Sequence, residues 1–266
     1  MTTKLAAIAD LHLDLWAEAH LDPFEHLDPE IWKSDIVVLA GDISNNGAKK
    51  WHRMLPAVLD RVDPDRVHVI PGNHDYYGHH LDREDKLKAA CDDLGCHFAQ
   101  NAEIRIDDSR RVLACTLWTD YALGGRNLVY ANMYDVKQRM NDFRKIRISR
   151  DGYRRIRPED LLDLHKRQLS WLKGKLADGF IGETTVVTHH APHPDAISTP
   201  DSDVSAAYAS DLGEVIERYG PRRWLFGHTH TPANFRISGC DLANVSVGYP
   251  GQRDLEGQPP QFVFEV

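Results

Sequence analysis

Five short stretches of this chain carry residues suited to holding metal ions: Asp10-Leu11-His12, Gly41-Asp42, Gly72-Asn73-His74-Asp75, His189 within Thr188-His189-His190, and Gly227-His228-Thr229-His230. Carboxylate oxygens mixed with imidazole nitrogens suit zinc, manganese or iron rather than calcium or copper(I). Asp10 and His12 are separated by one residue, so at an extended strand end both side chains would face the same side. His228 and His230 repeat that spacing. A pair of ions needs a bridging group, and Asp42, which follows a glycine and has no ligand-type neighbour, suits that position. Two ions about 3.5–4 Å apart make a shared water nucleophilic near neutral pH and neutralise the oxygens of a phosphoryl group attacked in line. One His-x-His alone reads as a loop feature, and one Asn-His-Asp after glycine as a turn. Five such stretches in one chain read as a site.

The elements that position them follow from hydrophobic patterning. Residues 4–9, 35–40 and 66–70 are short apolar runs, each ending in a turn that bears Gly, Asp or His. Helices are expected over about 48–62 and 83–94, and a hairpin over 103–106 and 111–116 around Asp107-Asp108-Ser109. Pro158 opens an amphipathic helix ending near Gly179, with Leu161, Leu162, Leu164, His165, Leu169, Leu172 and Leu176 at helical spacing. Strands at 184–188 and 222–226 precede His189 and His228, with a helix over about 205–219 between them. The tail is strand-rich, at 233–238, 241–247 and 261–266. Each chemical motif thus stands at the carboxyl end of a strand, where open α/β sheets bind ligands, and this places all five at one edge of one sheet.

The 266 residues show no internal repeat and no low-complexity linker, which favours one domain over 1–266 with an insertion or cap at about 118–157. A structureless loop of that length is uncommon, so the insertion is expected to be partly helical or functional. No apolar run approaches the roughly 20 residues needed to span a bilayer, and the first residues do not read as a signal peptide. The expectation is a cytoplasmic protein, with Cys91, Cys96, Cys115 and Cys240 as buried or half-buried reduced thiols. The net charge of −8 argues against coating of nucleic acid. Between Asp135 and Arg157, however, nine Lys/Arg face three Asp/Glu, so the remainder carries −14.

At these motifs the sequence resembles the calcineurin-like metallophosphoesterases, whose pattern is D-x-H, G-D, G-N-H-[DE], H and G-H-x-H; every element is present between positions 10 and 230. The resemblance implies an α/β fold of two facing mixed β-sheets flanked by helices, a four-layer sandwich. It implies two divalent or mixed-valence transition metals, manganese, iron or zinc. Asp10, His12, Asp42 and His230 would hold the first, and Asp42, Asn73, His189 and His228 the second. His74 would face the leaving group, and Asp75 would hydrogen-bond its other imidazole nitrogen. His190 is expected to be structural or solvent-facing.

Departures from single branches narrow the substrate. The protein Ser/Thr phosphatases carry an Arg in the run after the bridging Asp, absent from Gly41-Asp42-Ile43-Ser44-Asn45-Asn46-Gly47. The purple acid phosphatases carry a Tyr ligand where this chain has Asn45, and the lipid A pathway hydrolases carry Arg in place of His74. What remains resembles the bacterial phosphodiesterase-type group, which includes the class III cyclic nucleotide phosphodiesterases. The expected activity is hydrolysis of phosphodiesters in small, nucleotide-derived substrates. The alternatives, in order, are a phosphomonoesterase, a nuclease and a non-catalytic scaffold, the last opposed by the intact ligand set.

A substrate rim is expected from the insertion: Trp118, Tyr121, Arg126 and Arg144, with Asp120, Asn141, Asp142 and Phe143 beside them. Aromatic rings would stack on a base and an Arg would pair with a second phosphate. The competing reading makes Trp118 core and the cations a solvated helix face. The partner expected is a small phosphorylated molecule; a membrane is not expected, nucleic acid is disfavoured but left open by the basic segment, and nothing in the sequence bears on self-association.

Overall fold

The computed structural model describes residues 3–25, 27–198, 204–252 and 260–266. Its strands form two mixed sheets. In the first, β1 (Lys4–Ile8), β2 (Ile36–Ala40), β3 (Val67–Ile70) and β4 (His97–Phe98) run parallel in that order, and β11 (Val263–Glu265) lies antiparallel on the free edge of β1. In the second, β6 (Arg110–Cys115), β7 (Glu183–Thr188), β8 (Arg223–Phe226) and β10 (Cys240–Asn244) are parallel, with β5 (Ala102–Arg105) and β9 (Asn234–Ile237) antiparallel at the two edges.

Alternation along the second sheet explains how the layers stack. Side chains of successive strand residues point to opposite faces. Val112, Ala114, Val187, Leu225 and Ala243 accordingly join the core shared with β1–β3, while Leu113, Cys115, Val186, Trp224, Phe226 and Leu242 form a separate outer core. That outer core is closed by Leu172 of α7 (Pro158–Leu176) and by Val215 and Ile216 of α8 (Gly213–Tyr219). On the first sheet, α2 (Gly47–Met54) and α4 (Asp85–Leu94) contribute Trp51, Met54, Leu87 and Ala90 to the main core. The result is two facing sheets between helical layers, as the resemblance implied. Near-continuous burial of β1–β3 fits strands covered on both faces.

The helix expected over 48–62 is broken: α2 stops at Met54 and α3 (Pro56–Leu59) restarts after Leu55. Pro56 has no N–H to continue the ladder and its ring crowds the preceding turn. The helix expected over 205–219 survives as a 3₁₀ turn at Ser205–Ala207 and as α8. The amides of Ser210 and Leu212 bond instead to the carbonyls of Ala191 and Pro192, at 3.1 and 2.9 Å, so this stretch follows the loop after His190. In α7, Pro158 sits at the first position and the Asp160 carboxylate accepts the Arg157 N–H at 2.7 Å. His165 is buried on its apolar face and its Nδ1 reaches the Trp118 carbonyl.

The 118–157 segment is helical in part, with α5 (Val129–Arg139) and α6 (Asp142–Lys145). Its Met133, Val136, Phe143 and Ile146 belong to the main core, so it is packed onto the sandwich. All four cysteines are buried and free. Among the described residues, no helix is long and apolar enough to cross a membrane.

Candidate metal centre

The motifs meet where the carboxyl ends of the two sheets face each other. Asp10, Asp42 and Asn73 follow β1, β2 and β3 of the first sheet; His189 and His228 follow β7 and β8 of the second. The site is therefore built across two sheets, correcting the expectation of a single sheet edge. Backbone bonds lock these ends together. Ala9 N–H donates to Val245 O at 2.8 Å and Val247 N–H to Ala9 O at 2.9 Å, while Asp10 N–H reaches Gly41 O and Gly227 N–H reaches His189 O, both at 3.0 Å.

The backbone is not extended at the His-bearing spacings. Asp10, His12, Asp42, His228 and His230 all have left-handed φ, between 41° and 65°. Such conformations cost non-glycine residues about 1–3 kcal/mol each and cluster where function requires them. Asp10 and His12 still share one group, as their spacing suggested. His12 and His230 bring their Nε2 atoms to 3.3 Å, and His230 Nε2 lies 3.0 Å from Asp10 Oδ1. His228 instead joins His189 and Asp42 in a second group, so His228 and His230 do not share a side as their spacing suggested.

Asp42 stands between the groups. Its Oδ2 lies 3.8 Å from His12 Nε2, and its Oδ1 lies 3.5 Å from His189 Nε2 while accepting the His74 N–H at 2.8 Å. Asn73 Oδ1 is 3.1 Å from His189 Nε2. Asp10, His12 and His230 thus lie together on the Oδ2 side of Asp42, with His74 also within reach of His12 and Asp42, and Asn73, His189 and His228 lie on its Oδ1 side. The packing leaves no room for side chains at the three motif glycines. A Cβ on Gly227 would sit 2.6 Å from Asp10 Oδ2, one on Gly72 would collide with Asp42 Oδ1, and one on Gly41 with the His189 ring.

The donor set fits a pair of metal ions. His189 Nδ1 is paired with Ala40 O at 3.0 Å and His230 Nδ1 with Gln252 Oε1 at 2.9 Å, so each presents Nε2 to the site. Burial pushes the pKa values of His12, His189 and His228 down, leaving neutral imidazoles able to ligate. Burial, reinforced by the Asp10 charge, pushes Asp42 up; Asp10 is held low because the His230 charge and hydrogen bond outweigh its own burial. Among the described residues, His228 Nε2 is buried without a hydrogen-bond partner, a costly arrangement unless a cation takes up that lone pair.

Around the paired groups, some expected roles change. Asp75 does not touch the His74 ring. Its carboxylate accepts the N–H groups of Gly72, Ile43 and Ser44 and the Trp51 indole N–H, at 2.9, 3.3, 3.1 and 2.8 Å. Burial lifts it to about 7 against the pull of these donors. It is a brace holding the turns after β2 and β3. Trp51→Phe, which removes one donor from this buried acid, is expected to destabilise the fold by about 1–3 kcal/mol, read as a lower urea midpoint with unchanged m; an unchanged midpoint would deny the brace.

His74 Nδ1 instead meets Asn45 Oδ1 at 3.2 Å. Asn45 Nδ2 donates to Asp14 Oδ2 at 3.0 Å, and Lys50 Nζ lies 2.6 Å from the same oxygen. His190 is buried, not solvent-facing: its ring centroid is 4.4 Å from that of His228 and 5.0 Å from that of Trp118.

A cavity of about 330 Å³ opens over Asp42, Asn73 and His74. Of the expected rim, Trp118 and Tyr121 are 2% and 1% exposed and belong to the core. Arg126 and Arg144 are exposed but do not line the cavity, and Arg144 Nη2 donates to Gln138 O at 2.5 Å. The wall is made by Tyr77, Arg139, Met140, Asn141, Tyr208, Tyr249 and Gln252. Tyr208 stacks on His228 at 4.8 Å, and Tyr249 Oη lies 3.4 Å from His74 Nε2. The insertion does supply part of the rim, through Arg139 at the end of α5 and Met140 and Asn141 after it, of which the sequence points to Asn141 alone; the tyrosines had no motif to mark them.

The chain is similar to several known proteins. Protein L509 of Acanthamoeba polyphaga mimivirus is 24% identical over 244 residues, covering 83% of this chain and 81% of that protein. The phosphopantetheinyl hydrolase (PptH) of Mycobacterium tuberculosis superposes with a TM-score of 0.71 at 20% identity, over 100% of this chain and 96% of that one. A dimetal phosphatase from Danio rerio gives 0.52 at 16% identity, over 95% and 90%. The two structural likenesses are of fold. A sequence model of the calcineurin-like phosphoesterases matches residues 3–232, a span holding every motif above, and this chain belongs to that family, with its dinuclear-metal dependence and metal-assisted hydrolysis of phosphoric esters.

Proposed function

We propose that the chain hydrolyses phosphodiesters, with Asp10, His12, Asp42 and His230 holding one metal ion and Asp42, Asn73, His189 and His228 the other. The pair, when bound, supplies an activated water and neutralises the phosphoryl oxygens. Everything else falls to the chain. Asp14 orients the Asn45 amide so that Asn45 Oδ1 accepts the His74 Nδ1 proton, which leaves Nε2 facing the cavity. Burial keeps this imidazole neutral in the free protein, down at about 3. An entering phosphate anion would favour a second proton at Nε2, placed to pass to the departing oxygen as the P–O bond breaks.

The observation that carries the diester reading is the composition of the cavity wall. Beyond the metal ligands it offers Tyr77, Tyr208, Tyr249, Met140 and Asn141, and Arg139 as its one Lys or Arg among the described residues. A monoester dianion calls for more positive charge, whereas a diester monoanion with two organic arms suits aromatic walls on both sides of the metals. A phosphopantetheinyl group esterified to an alcohol is itself a phosphodiester. The likeness to the phosphopantetheinyl hydrolase, an analogy of fold, therefore makes such conjugates substrates to try beside cyclic and linear dinucleotides.

The test is turnover of bis(p-nitrophenyl) phosphate against p-nitrophenyl phosphate, with manganese restored to chelator-treated protein. Diester turnover should exceed monoester turnover by about tenfold or more, a difference of roughly 1.4 kcal/mol in transition-state stabilisation. Faster monoester turnover would replace the diester reading with a phosphomonoesterase.

A further inference from the structure

One buried acid beside the metal centre is explained neither by the motifs nor by the core. Asp142, the first residue of α6 in the insertion, is 4% exposed and forms no ion pair among the described residues. Its Oδ1 accepts the Asn73 amide N–H at 2.8 Å, and the Tyr77 hydroxyl bonds to the same carboxylate. Asn73 Nδ2 also reaches Tyr77 Oη at 3.2 Å. An amide can present either its oxygen or its nitrogen to a neighbour. With Nδ2 held by the carboxylate, Oδ1 is the end turned to His189 Nε2, 3.1 Å away. The flipped amide would set its oxygen against the Asp142 carboxylate and its N–H groups toward a cation.

We infer that Asp142 is a positioning residue for the second metal ion, fixing the Asn73 amide so that its oxygen is the ligand. This rests on the assignment of Asn73 to that ion. Because Asp142 belongs to the insertion, the metal and the insertion are coupled. Immediately beyond α6 the insertion docks on the chain that follows Asn73: Gly78 N–H bonds to Lys145 O at 2.9 Å, Arg147 N–H to His79 O at 3.1 Å, and Leu81 N–H to Arg147 O at 2.8 Å. If Asp142 strengthens binding of the ion, the ion must by the same free energy stabilise the seating of Asp142.

The experiment is calorimetric titration of manganese into chelator-treated wild type, Asp142→Ala and Asp142→Asn, with hydrogen exchange followed over residues 129–147. Wild type should bind two ions, the second slowing exchange in that segment. Asp142→Ala should bind the first ion normally and the second about 10–100-fold more weakly, the usual cost of losing an outer partner of a ligand, without the exchange response. Asp142→Asn keeps an acceptor oxygen and should lose less than about tenfold, again at the second ion alone. Equal affinities in all three proteins would overturn the inference, as would loss of both ions together. Should Asp142→Ala not fold, the selective loss in Asp142→Asn decides the matter. Wild type binding one ion would remove the assignment of Asn73 as well, a failure visible before any variant is compared.

Discussion

Asp42→Asn is expected to bind metal poorly and to lose at least about 10³-fold in kcat/KM on bis(p-nitrophenyl) phosphate, a loss of roughly 4 kcal/mol of transition-state stabilisation. Both carboxylate oxygens of Asp42 are committed: Oδ1 to the His74 N–H and the His189 side, Oδ2 to the His12 side. An amide can offer one oxygen only. Either its NH₂ opposes the His74 N–H, donor to donor, or it faces an ion. The metal-free protein should behave in the opposite sense. There the Asp42 carboxylate is buried beside Asp10, and burial and that neighbour both push its pKa up, so a neutral amide relieves a desolvated charge. Thermal unfolding in chelator should show the variant no less stable than wild type, while the rise in Tm on adding manganese, large for wild type, vanishes. A variant that kept two ions and near-normal turnover would remove Asp42 from the bridging position.

The candidate site was legible in the sequence because each of its motif residues sits in a turn that closes a buried strand, and such turns leave short, ordered signatures. Gly41, Gly72 and Gly227 belong to those signatures for a physical reason: the carboxylates of Asp10 and Asp42 and the His189 ring occupy the space a Cβ would take. What spacing could not give was direction. Residues two apart in a strand share a face, but here the backbone is left-handed at Asp10, His12, His228 and His230, and His228 and His230 part company. The sheets were legible strand by strand but not in their partition, because assignment to one sheet or the other depends on pairings far apart in sequence, such as Val245 with Ala9.

Supports and walls were harder to read for a related reason. Asp75 follows His74 directly, yet three backbone N–H groups and an indole claim its carboxylate. The partner of His74 Nδ1 is Asn45, 29 positions earlier. Trp118 and Tyr121 are amphipathic side chains that serve a rim or a core equally well on composition, and burial decides for the core. The basic run 135–157 is partly tied up locally, with Arg154 paired to Asp151 and Asp160, and Arg139 is the cation it sends to the cavity wall.

His74→Gln should separate chemistry from metal binding. His74 Nε2 faces the cavity 3.9 Å from Asp42 Oδ2 and its ring packs on that of His12, while its bond to Asp42 Oδ1 is made by the backbone N–H, which the variant keeps. Both ions should therefore bind with affinities close to wild type. Turnover should fall by an amount set by the leaving group. An alkoxide needs a proton as it departs, and a positioned acid contributes about 10²–10⁴-fold, so alkyl diesters should lose turnover on that scale. The p-nitrophenolate ion is stable without a proton, and bis(p-nitrophenyl) phosphate should lose less than about tenfold. Asn45→Ala should reproduce the pattern in weaker form, since it frees the Nδ1 end of the ring and cuts His74 from Asp14 and Lys50. Asn45→Asp restores an acceptor and should regain activity unless the added charge repels Asp14. Equal losses on both kinds of ester would mean that His74 stabilises charge on the phosphoryl oxygens instead of serving the departing group. Loss of metal with loss of rate would place it among the ligands.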